Sequence, residues 1–460
     1  MRKPVSETMS SIISPPPAPD TRQTQPTHIA LGDGLVLRSV QSQADAERYA
    51  QFNRDFVSAV QGETCAKLLA HHPTMRWDDF FFVEDETTGA VVSTTCLIPW
   101  RCRLGEIELQ VAMLEMVVTH PDYRHRGLVR KQIEHFHNIV ATQAFDLCII
   151  EGIPYYYRQF GYGYATDHWA SDGLAAAQVP EHGTTRPIRL RAATMADVPA
   201  LSDFYTQTMS KLTGWTMRSH EGWRYLLEGA SYPALMVEDA TYGTALGYVV
   251  GWRRAGEGIQ IIESGLPAAE TALALLQWCK SAAGGEIVLG WPAESTLVQV
   301  ARSLGSYVQP ADQWLLRLVD LPQLLLKLGP LLATRLAASP YTGLSADLTL
   351  NLYKQAYLLR FVAGQLIAVE PLGFVDASMG ADGGDLCIPP DAFTRLLLGY
   401  RTLDALADAW PDLVVRPSRR HLWQVLWPQS ATYFWMPYLV FDASVREMDL
   451  IIANDISNPF

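Results

Sequence analysis

A short loop between an apolar run and a helical pattern contains residues that could bind a phosphate. The apolar run at residues 113–118 is followed by a Pro-containing loop and then by a helix of period 3.6. Arg124, Gly127 and Val129 give the loop the pattern Arg-x-x-Gly-x-small. Gly127 lets the backbone approach a ligand closely, while successive N–H groups face outward at a helix start. The pattern favours a pyrophosphate-binding nest; the alternative is an ordinary connection with solvated arginines.

This loop resembles the hallmark of the GNAT superfamily of N-acetyltransferases, an Arg/Gln-x-x-Gly-x-Gly/Ala segment between the fourth strand and the next helix. The resemblance implies acetyl-coenzyme A as the co-substrate. Loop amides would hold its pyrophosphate, and the strand end would present backbone groups to the acetyl and pantetheine parts. Val129 stands where the family has Gly or Ala. The implied cofactor-binding residues are Val117, Val118, Thr119, Arg124, His125, Arg126, Gly127, Leu128, Val129, Arg130 and Gly152.

A second segment carries a candidate general acid. After an apolar run at residues 147–150, the pattern Tyr157-x-x-x-Gly161-Tyr162 resembles the GNAT feature of a Tyr at a helix start before a Gly-aromatic pair. The resemblance implies that Tyr157 protonates the departing thiolate of coenzyme A. Free thiols titrate at about 8.5 and Tyr at about 10, so a positioned Tyr is a suitable donor. The neighbouring tyrosines are interpreted as packing residues: Tyr155, Tyr156, Tyr162 and Tyr164.

Longer stretches resemble the enhanced intracellular survival protein family, chiefly VVTHPDYRHRGLVR and YRQFGYGYAT. In that family an N-terminal GNAT domain, a central GNAT-like domain and a C-terminal sterol carrier protein-like domain share one chain. The resemblance covers most of residues 31–440. Because the family forms hexamers, it implies a homo-oligomer.

An amine substrate needs a proton acceptor, because an ammonium group with a pKa of about 10 must lose a proton before it attacks. In the resembling family the C-terminal carboxylate is this base. The present chain also ends in Phe, so Phe460 is the first candidate. Glu115 is the second, since other GNAT enzymes place a catalytic Glu on the strand leading into the pyrophosphate loop. Alternation decides which face Glu115 uses, and the sequence leaves that face open.

The elements at the start of the chain recur further on. A strand pattern (LVLRSV), a polar stretch and a helix at residues 34–56 are repeated at residues 188–209, where Thr194 and Asp197 begin the helix. This repeat predicts a duplicated domain. The second copy has a candidate strand at residues 258–263 but no Arg-x-x-Gly loop, so we do not expect it to bind coenzyme A. By family analogy it would wall the substrate cavity.

The last third is predicted to be an α+β module, with strands within residues 348–370, a turn at 380–385 and a helix at 391–407. The predicted fold class is therefore α/β and α+β: two tandem GNAT-like mixed-sheet domains, the second degenerate, and a C-terminal sterol carrier protein-like α+β domain. The predicted divisions are a disordered leader (1–30), a catalytic domain (31–178), a degenerate domain (188–320), the module (321–440) and a tail (441–460).

Composition excludes several functional classes. The 460 residues are 48% hydrophobic and 18% charged, as expected of a globular chain with several cores. A net charge of -12 argues against nucleic-acid binding and favours cationic substrates. The six cysteines form no CxxC pair or metal-ligand spacing, which predicts reduced thiols and no metal site. With no signal peptide recognised, a cytoplasmic location is expected.

No membrane span is predicted either, because the longest apolar run, residues 321–338, is interrupted by Lys327, Gly329, Pro330 and Arg335. The resulting hypothesis is direct transfer of the acetyl group of acetyl-coenzyme A to a primary amine of a small or peptide substrate, of aminoglycoside, polyamine or lysine type. The alternative is a non-catalytic sensor or assembly protein that binds acyl-coenzyme A or a lipid.

Overall fold

The computed structural model describes residues 26–181, 186–254, 258–283, 285–377 and 383–440. The first part contains strands β1 (His28–Gly32), β2 (Leu35–Ser39), β3 (Phe80–Asp85), β4 (Ala90–Leu104), β5 (Ile107–Thr119), β6 (Leu147–Ile150) and β7 (Gly163–Ala175). Its helices are α1 (Gln43–Phe56), α2 (Ala59–His71) and α3 (Leu128–Thr142). A 3-10 turn at Tyr156–Phe160 precedes β7.

The middle part repeats the alternation of strands and helices. Its strands are β8 (Ile188–Ala192), β9 (Gly214–Thr216), β10 (Ala234–Asp239), β11 (Ala245–Arg254), β12 (Gly258–Gly265), β13 (Glu286–Leu289) and β14 (Tyr307–Leu318). Its helices are α4 (Val198–Met209), α5 (His220–Arg224), α6 (Ala269–Ala283) and α7 (Thr296–Ser303).

One mixed sheet joins these two parts. Its main path runs β1-β2-β3-β4-β5-β6-β14-β7-β13-β12-β11-β10-β8. The strand order shows an exchange, because β14 from the middle part lies between β6 and β7 of the first part, and β7 in turn pairs with β13. Both exchanged contacts are antiparallel. The two parts therefore share a continuous sheet.

The last part forms a second sheet, in the order β17-β16-β15-β18-β19. Its strands are β15 (Ala346–Asn351), β16 (Ala356–Val362), β17 (Gln365–Gly373), β18 (Leu386–Cys387) and β19 (Val414–Val415). Its helices are α8 (Leu321–Lys327), α9 (Gly329–Ala337), α10 (Pro390–Leu397), α11 (Leu403–Ala409) and α12 (Arg420–Leu426). A final strand, β20 (Thr432–Tyr433), returns to the first sheet and pairs with β9.

Two local predictions for the last part need correction. The helix predicted at residues 391–407 is two helices, because Gly399 adopts a φ of 70° and interrupts the helical path between them. The strand pattern at 348–360 contains two strands joined by a turn in which Tyr353 has a φ of 69°. Of the predicted turn at 380–385, residues 380–382 lie outside the described residues.

Apolar side chains cover both faces of the large sheet. On one face, Phe136 and Val140 of α3 pack against Leu114 of β5 and against Tyr157 and Tyr162. The larger cluster on the other face includes residues from α1, α2 and α4 and continues into the last part. Among the described residues, no helix combines the length and apolar character that crossing a membrane requires.

Candidate active site

The strand β5 separates from β6 halfway along its length. Parallel pairing joins Val111, Ala112 and Met113 to residues 147–149, whereas pairing with β4 continues to Thr119. Beyond Met113, the β6 side of β5 therefore has no strand partner within the described portion of the chain. On that side, the peptide groups of residues 115–119 are left without a neighbouring strand.

A β-bulge shapes this end of β5. Met116 has a φ of 57°, and the register with β4 shifts between Thr94 and Cys96. Side chains of β4 bind the distorted backbone, since Thr94 Oγ1 donates to the Met116 carbonyl at 3.0 Å and Ser93 Oγ lies 2.8 Å from the Val118 carbonyl oxygen. Bulges of this kind redirect peptide groups. Val117, within the bulge, and its neighbour Val118 are both half-buried.

The loop after β5 leads into the N-terminus of α3. Gly127 is the N-cap with a φ of 75°, and no side chain caps the helix. His125 also has a positive φ, 63°. A Cβ on Gly127 would meet no atom within 4 Å, so the glycine is favoured by backbone conformation rather than by crowding. Because the first amides of a helix lack intrahelical acceptors, this exposed turn can bind an anion.

The three arginines of the loop differ in their contacts. Arg126 lies over the ring of Tyr123 at 4.7 Å, and Arg130 donates to Gln159 Oε1 at 2.5 Å. Arg124 is exposed. All three could reach a phosphate, but two already have partners that hold them beside the loop.

The two apolar residues of the loop have side chains directed into the core. Leu128 is buried and Val129 packs against the same cluster as α3. Only their backbone N–H groups can therefore serve a ligand at this turn. The replacement of the usual Gly or Ala by Val129 is accommodated by the core.

The candidate acid, Tyr157, is a buried residue of the 3-10 turn. Gly152 makes room for its ring, since a Cβ on Gly152 would lie 2.2 Å from Tyr157 Cδ2. Burial raises the pKa of Tyr157, and the nearby Glu115 carboxyl raises it further. The phenol consequently keeps its proton near neutral pH and can act as a donor.

Most neighbouring tyrosines pack as predicted. Tyr162 is buried with its hydroxyl 3.2 Å from His137 Nε2, and the ring of Tyr156 meets that of Tyr157 edge-on at 5.1 Å. Tyr155 corrects the prediction, because its side chain is 75% exposed and meets the guanidinium of Arg158. A positive φ of 69° turns this residue outward.

Glu115 lies on the divergent part of β5. Its Oε1 atom is buried without a hydrogen-bond partner. Burial raises the pKa of Glu115 to about 8, and the negative charge of Glu151 adds to this rise, whereas hydrogen bonding to the Tyr438 side chain and to the Met116 backbone opposes it. The charge of Glu115 in turn contributes to the raised pKa of Tyr157.

Further acidic groups lie beside Glu115. Glu151 Oε2 is 3.8 Å from His168 Nδ1, and burial lowers the pKa of His168 to about 4, so this imidazole is neutral at pH 7. Burial and the charge of Asp312 raise the pKa of Glu151. Asp312 also lines a concavity of about 410 Å³. Sequence reasoning missed Asp312 because β14 is brought here by the strand exchange.

A second concavity of about 510 Å³ lies between α1 and α2 and is lined by residues such as Arg54 and Trp77. None of the candidate catalytic residues borders it. Among the described residues, no group of His, Cys, Asp and Glu side chains could hold a metal ion. All six cysteines are free and buried. The Phe460 carboxylate lies outside the described residues.

The middle part has a related strand pair with a different environment. β12 pairs in parallel with β13 as far as Ile261, and Glu263 follows two residues later, as Glu115 follows Met113. Glu263 is fully buried and forms a bidentate ion pair with Arg218, at 2.7 and 2.9 Å. The hydroxyls of Tyr232 and Tyr248 and the indole N–H of Trp435 also donate to this carboxylate.

Comparison with known proteins identifies the first part. Residues 42–165, from α1 to the start of β7, match the family model described as an acetyltransferase (GNAT) domain. This range contains the Gly127 loop, Glu115 and Tyr157. Residues 42–165 are thus similar to GNAT acetyltransferase domains, and this similarity supports acyl transfer as the general chemistry of the first part. No curated protein matches the chain in sequence.

Solved structures share the fold of nearly the whole chain. A probable N-acyltransferase of unknown function from Enterococcus faecalis V583 has 16% identity and a TM-score of 0.65, covering 90% of this chain and 100% of that one. A GCN5-related N-acetyltransferase from Anabaena variabilis has 14% identity and a TM-score of 0.64, covering 88% and 100%. Eis1 from Mycobacterium abscessus has 17% identity and a TM-score of 0.59, covering 87% and 98%.

Proposed function

We propose that the protein is an acetyl-coenzyme A-dependent N-acetyltransferase that transfers the acetyl group directly to a primary amine of a small or peptide substrate. One observation carries the proposal. A carboxyl with a raised pKa, Glu115, and a phenol that keeps its proton, Tyr157, lie within electrostatic range of each other beside the divergent end of β5. Direct transfer needs this pair of a proton acceptor and a proton donor.

The cofactor site in this proposal is the turn that begins α3. The amides of residues 125–129 would bind the pyrophosphate, and Arg124, Arg126 and Arg130 would add charge-assisted contacts. The exposed, uncapped helix start and the open space at Gly127 support this assignment. The backbone of residues 117–119 would hold the acetyl and pantetheine end, and Gly152 would contribute through the position of Tyr157.

The reaction can be followed through the residues. Glu115 accepts a proton from the substrate ammonium, and the free amine attacks the thioester carbon. The N–H groups of Val117 and Val118 stabilise the oxyanion. As the C–N bond forms and the C–S bond breaks, Tyr157 gives its proton to the sulfur. The nitrogen loses its second proton, which replaces the one that Tyr157 has given, so that an amide and the free thiol of coenzyme A leave, and Glu115 releases its proton to solvent. The Phe460 carboxylate is the alternative base.

The acceptor in this proposal is cationic. The charge of Glu151 acts on Glu115, and the charge of Asp312 acts on Glu151, so three acidic groups influence one another near β5. Together with the net charge of -12, they favour an amine of aminoglycoside, polyamine or lysine type.

The arrangement of the chain is proposed on the same basis. Residues 31–178 would be catalytic, residues 188–320 a degenerate GNAT-like domain, and residues 321–440 a sterol carrier protein-like domain. A homo-oligomer, with a hexamer as the expected form, and a cytoplasmic location complete the proposal.

The direct test is release of coenzyme A thiol from acetyl-coenzyme A with a panel of polyamines, aminoglycosides and lysine peptides. Tyr157→Phe is expected to lower kcat by about 100-fold to 10,000-fold, because the leaving thiolate loses its proton donor. The control is Tyr156→Phe, which removes a hydroxyl from the adjacent ring and should leave kcat within about twofold of wild type.

Unchanged turnover in Tyr157→Phe would remove this residue from the mechanism. Calorimetry separates the enzyme from the sensor alternative. Saturable binding of acetyl-coenzyme A without turnover of any amine would favour the sensor, and no binding would exclude both.

A further inference from the structure

One polar residue interrupts the apolar face of α3. The other side chains of this helix that are buried in the core are Leu128, Ile133, Phe136 and Val140, and Gln132 lies among them. The Gln132 side chain is fully buried. An apolar residue is the ordinary choice here, because the stripe of a helix that faces the core is hydrophobic. A polar residue that breaks this pattern points to a role other than packing.

Gln132 reaches the end of β5 through one side chain of β4. Its amide oxygen Oε1 lies 2.7 Å from Ser93 Oγ. Ser93 Oγ in turn lies 2.8 Å from the carbonyl oxygen of Val118 and 2.9 Å from Thr119 Oγ1. Ser93 is as fully buried as Gln132. These contacts join α3 to the end of β5, and we call Gln132 and Ser93 the helix–strand link.

The count of protons defines how the link is arranged. A hydroxyl has one proton and donates to one acceptor at a time, yet Ser93 has the Val118 carbonyl oxygen and the Gln132 amide oxygen beside it. The amide nitrogen of Gln132 is buried and has no hydrogen-bond partner among the described residues. If the amide turns by 180°, its N–H donates to Ser93, and Ser93 donates to Val118. In that arrangement each contact of the link is a hydrogen bond.

The link fixes one peptide unit at the end of β5. Within a planar trans peptide the C=O and the N–H point in opposite directions. A Val118 carbonyl held by Ser93 therefore turns the N–H of Thr119 away from β4, towards the side of β5 on which pairing with β6 has ended. Thr94 holds the Met116 carbonyl in the same way. Two adjacent hydroxyl residues of β4 thus hold the peptide units on either side of Val117.

We propose that Gln132 is a positioning residue for the thioester end of acetyl-coenzyme A, acting through Ser93 on the backbone at residues 118–119. The inference rests on the proposed function, in which the backbone of residues 117–119 holds the acetyl and pantetheine end. It also accounts for a buried amide with an unpartnered end, because such a group costs free energy that an apolar residue would not. The link connects the helix that would bind the pyrophosphate to the strand that would bind the thioester.

The test compares the full chain with Gln132→Met, which keeps the length of the side chain and removes the amide. Release of coenzyme A thiol with spermidine as the acceptor gives kcat, and calorimetry gives the Kd of coenzyme A. We expect kcat to fall by about tenfold, because the strand end loses a hydrogen bond that positions it. The Kd of coenzyme A should stay within about twofold of wild type, since the amides of residues 125–129 would still bind the pyrophosphate. Tm should equal or exceed that of wild type, because the unpartnered polar group is gone.

Gln143→Met is the matched control. Gln143 lies at the other end of α3 and also has a buried amide atom for which the described part of the chain provides no partner. This variant should keep kcat within about twofold of wild type. Ser93→Ala removes the other half of the link and should lower kcat by about tenfold or more. Adding Gln132→Met to Ser93→Ala should cause no further loss, because both changes break the same link.

An unchanged kcat in folded Gln132→Met, or a loss of kcat accompanied by a lower Tm and weaker binding of coenzyme A, would overturn the positioning role. Additive losses in the double variant would show that Gln132 does not act through Ser93. Gln132→Leu is measured in parallel, and failure of both Gln132 variants to fold would show that the link is structural and would overturn the proposal.

Failure of the proposed function has a different outcome. If the wild-type chain releases no thiol with spermidine or with any other amine of the panel, the proposed function is wrong and the inference falls with it. If the wild-type chain is active and Gln132→Met matches the Gln143→Met control, the inference alone is wrong.

Discussion

Glu115 and Glu263 occupy corresponding places in two strand pairs, yet their surroundings give them opposite properties. Each lies two residues beyond the last parallel pair of its strand, on β5 and on β12. Glu263 has the Arg218 guanidinium and three further donors around it. Among the described residues, Glu115 forms no ion pair with a basic side chain, and burial raises its pKa to about 8.

The difference teaches how one strand geometry supports either stability or proton transfer. A buried carboxylate with a bidentate arginine stays ionised and fixed. A buried carboxyl beside another carboxyl titrates near the pH at which an amine must lose its proton. The strand end of the middle part is therefore a structural ion pair, whereas that of the first part has the raised pKa that the proposed chemistry requires.

The largest expected effect comes from breaking the ion pair of the middle part. Arg218→Met would leave the Glu263 charge buried without its counter-ion and should lower the free energy of unfolding by about 3–5 kcal/mol. Urea unfolding of the full chain measures this. Arg189→Met is the control, since Arg189 is exposed and its partner Glu238 keeps a second ion pair with Arg191, so the loss should be less than about 1 kcal/mol. Equal losses in both variants would contradict the contrast.

Glu115→Gln should have the opposite profile. We expect kcat/KM to fall by about 100-fold or more, because the amine loses its base. The sign for stability follows from the pKa of Glu115, which is raised from 4.5 to about 8 on folding. The stability that this raised pKa provides is complete below pH 4.5 and is lost as pH rises through 8. Relative to wild type, Gln should thus raise Tm more at pH 9 than at pH 5.

Glu263→Gln is the counterpart that makes this second comparison decisive. It should lower Tm by weakening the bidentate pair with Arg218, and the folded protein should keep its kcat. A Glu115→Gln protein with unchanged kcat/KM, or one whose relative Tm does not depend on pH, would show that the two glutamates do not differ as the structure indicates.

A smaller effect is expected from Trp435→Phe, in the segment that follows β20. The indole N–H donates to Glu263 Oε2 at 2.5 Å, and hydrogen bonds to buried charges contribute about 2 kcal/mol. The free energy of unfolding should fall by about that amount, while the pH at which kcat/KM rises should not move. If the pH at which kcat/KM rises did shift, the environments of Glu263 and Glu115 would be coupled, and the contrast between the two glutamates would not hold.

The smallest effect concerns the Arg-x-x-Gly loop before α3, which has no counterpart in the middle part. Gly127→Val should weaken acetyl-coenzyme A binding by about tenfold, because Val resists the positive φ of the nest. Gly343→Val is the matched control, with a φ of 72° and the same open space, and should cost similar stability without loss of affinity. Isothermal calorimetry and thermal unfolding provide both values. Unchanged affinity in folded Gly127→Val would exclude the loop as the pyrophosphate site.

The local elements around the site were predictable from the sequence because they depend on short-range patterns. The apolar run at 147–150 is β6, the polar stretch before the first helix supplies the N-cap Ser42 of α1, and the Arg-x-x-Gly loop leads into α3. The apolar run at 321–338 forms two helices, α8 and α9, as its interruptions indicate. In each case the signal lies within one turn of the element.

The long-range parts of the site had no such signal. The position of Asp312 depends on the insertion of β14 between β6 and β7. The face used by Glu115 depends on the bulge at Met116, whose positive φ no sequence pattern predicts in a non-glycine residue.

The insertion of β14 also constrains how the chain can be made. During synthesis β6 has no second neighbour in the sheet until residues 307–318 have left the ribosome, so the first part cannot complete its sheet before the middle part is made. Until then, an apolar strand edge is open to other chains in the cell. A fragment that contains only residues 26–181 would keep this strand edge exposed. We therefore expect such a fragment to aggregate.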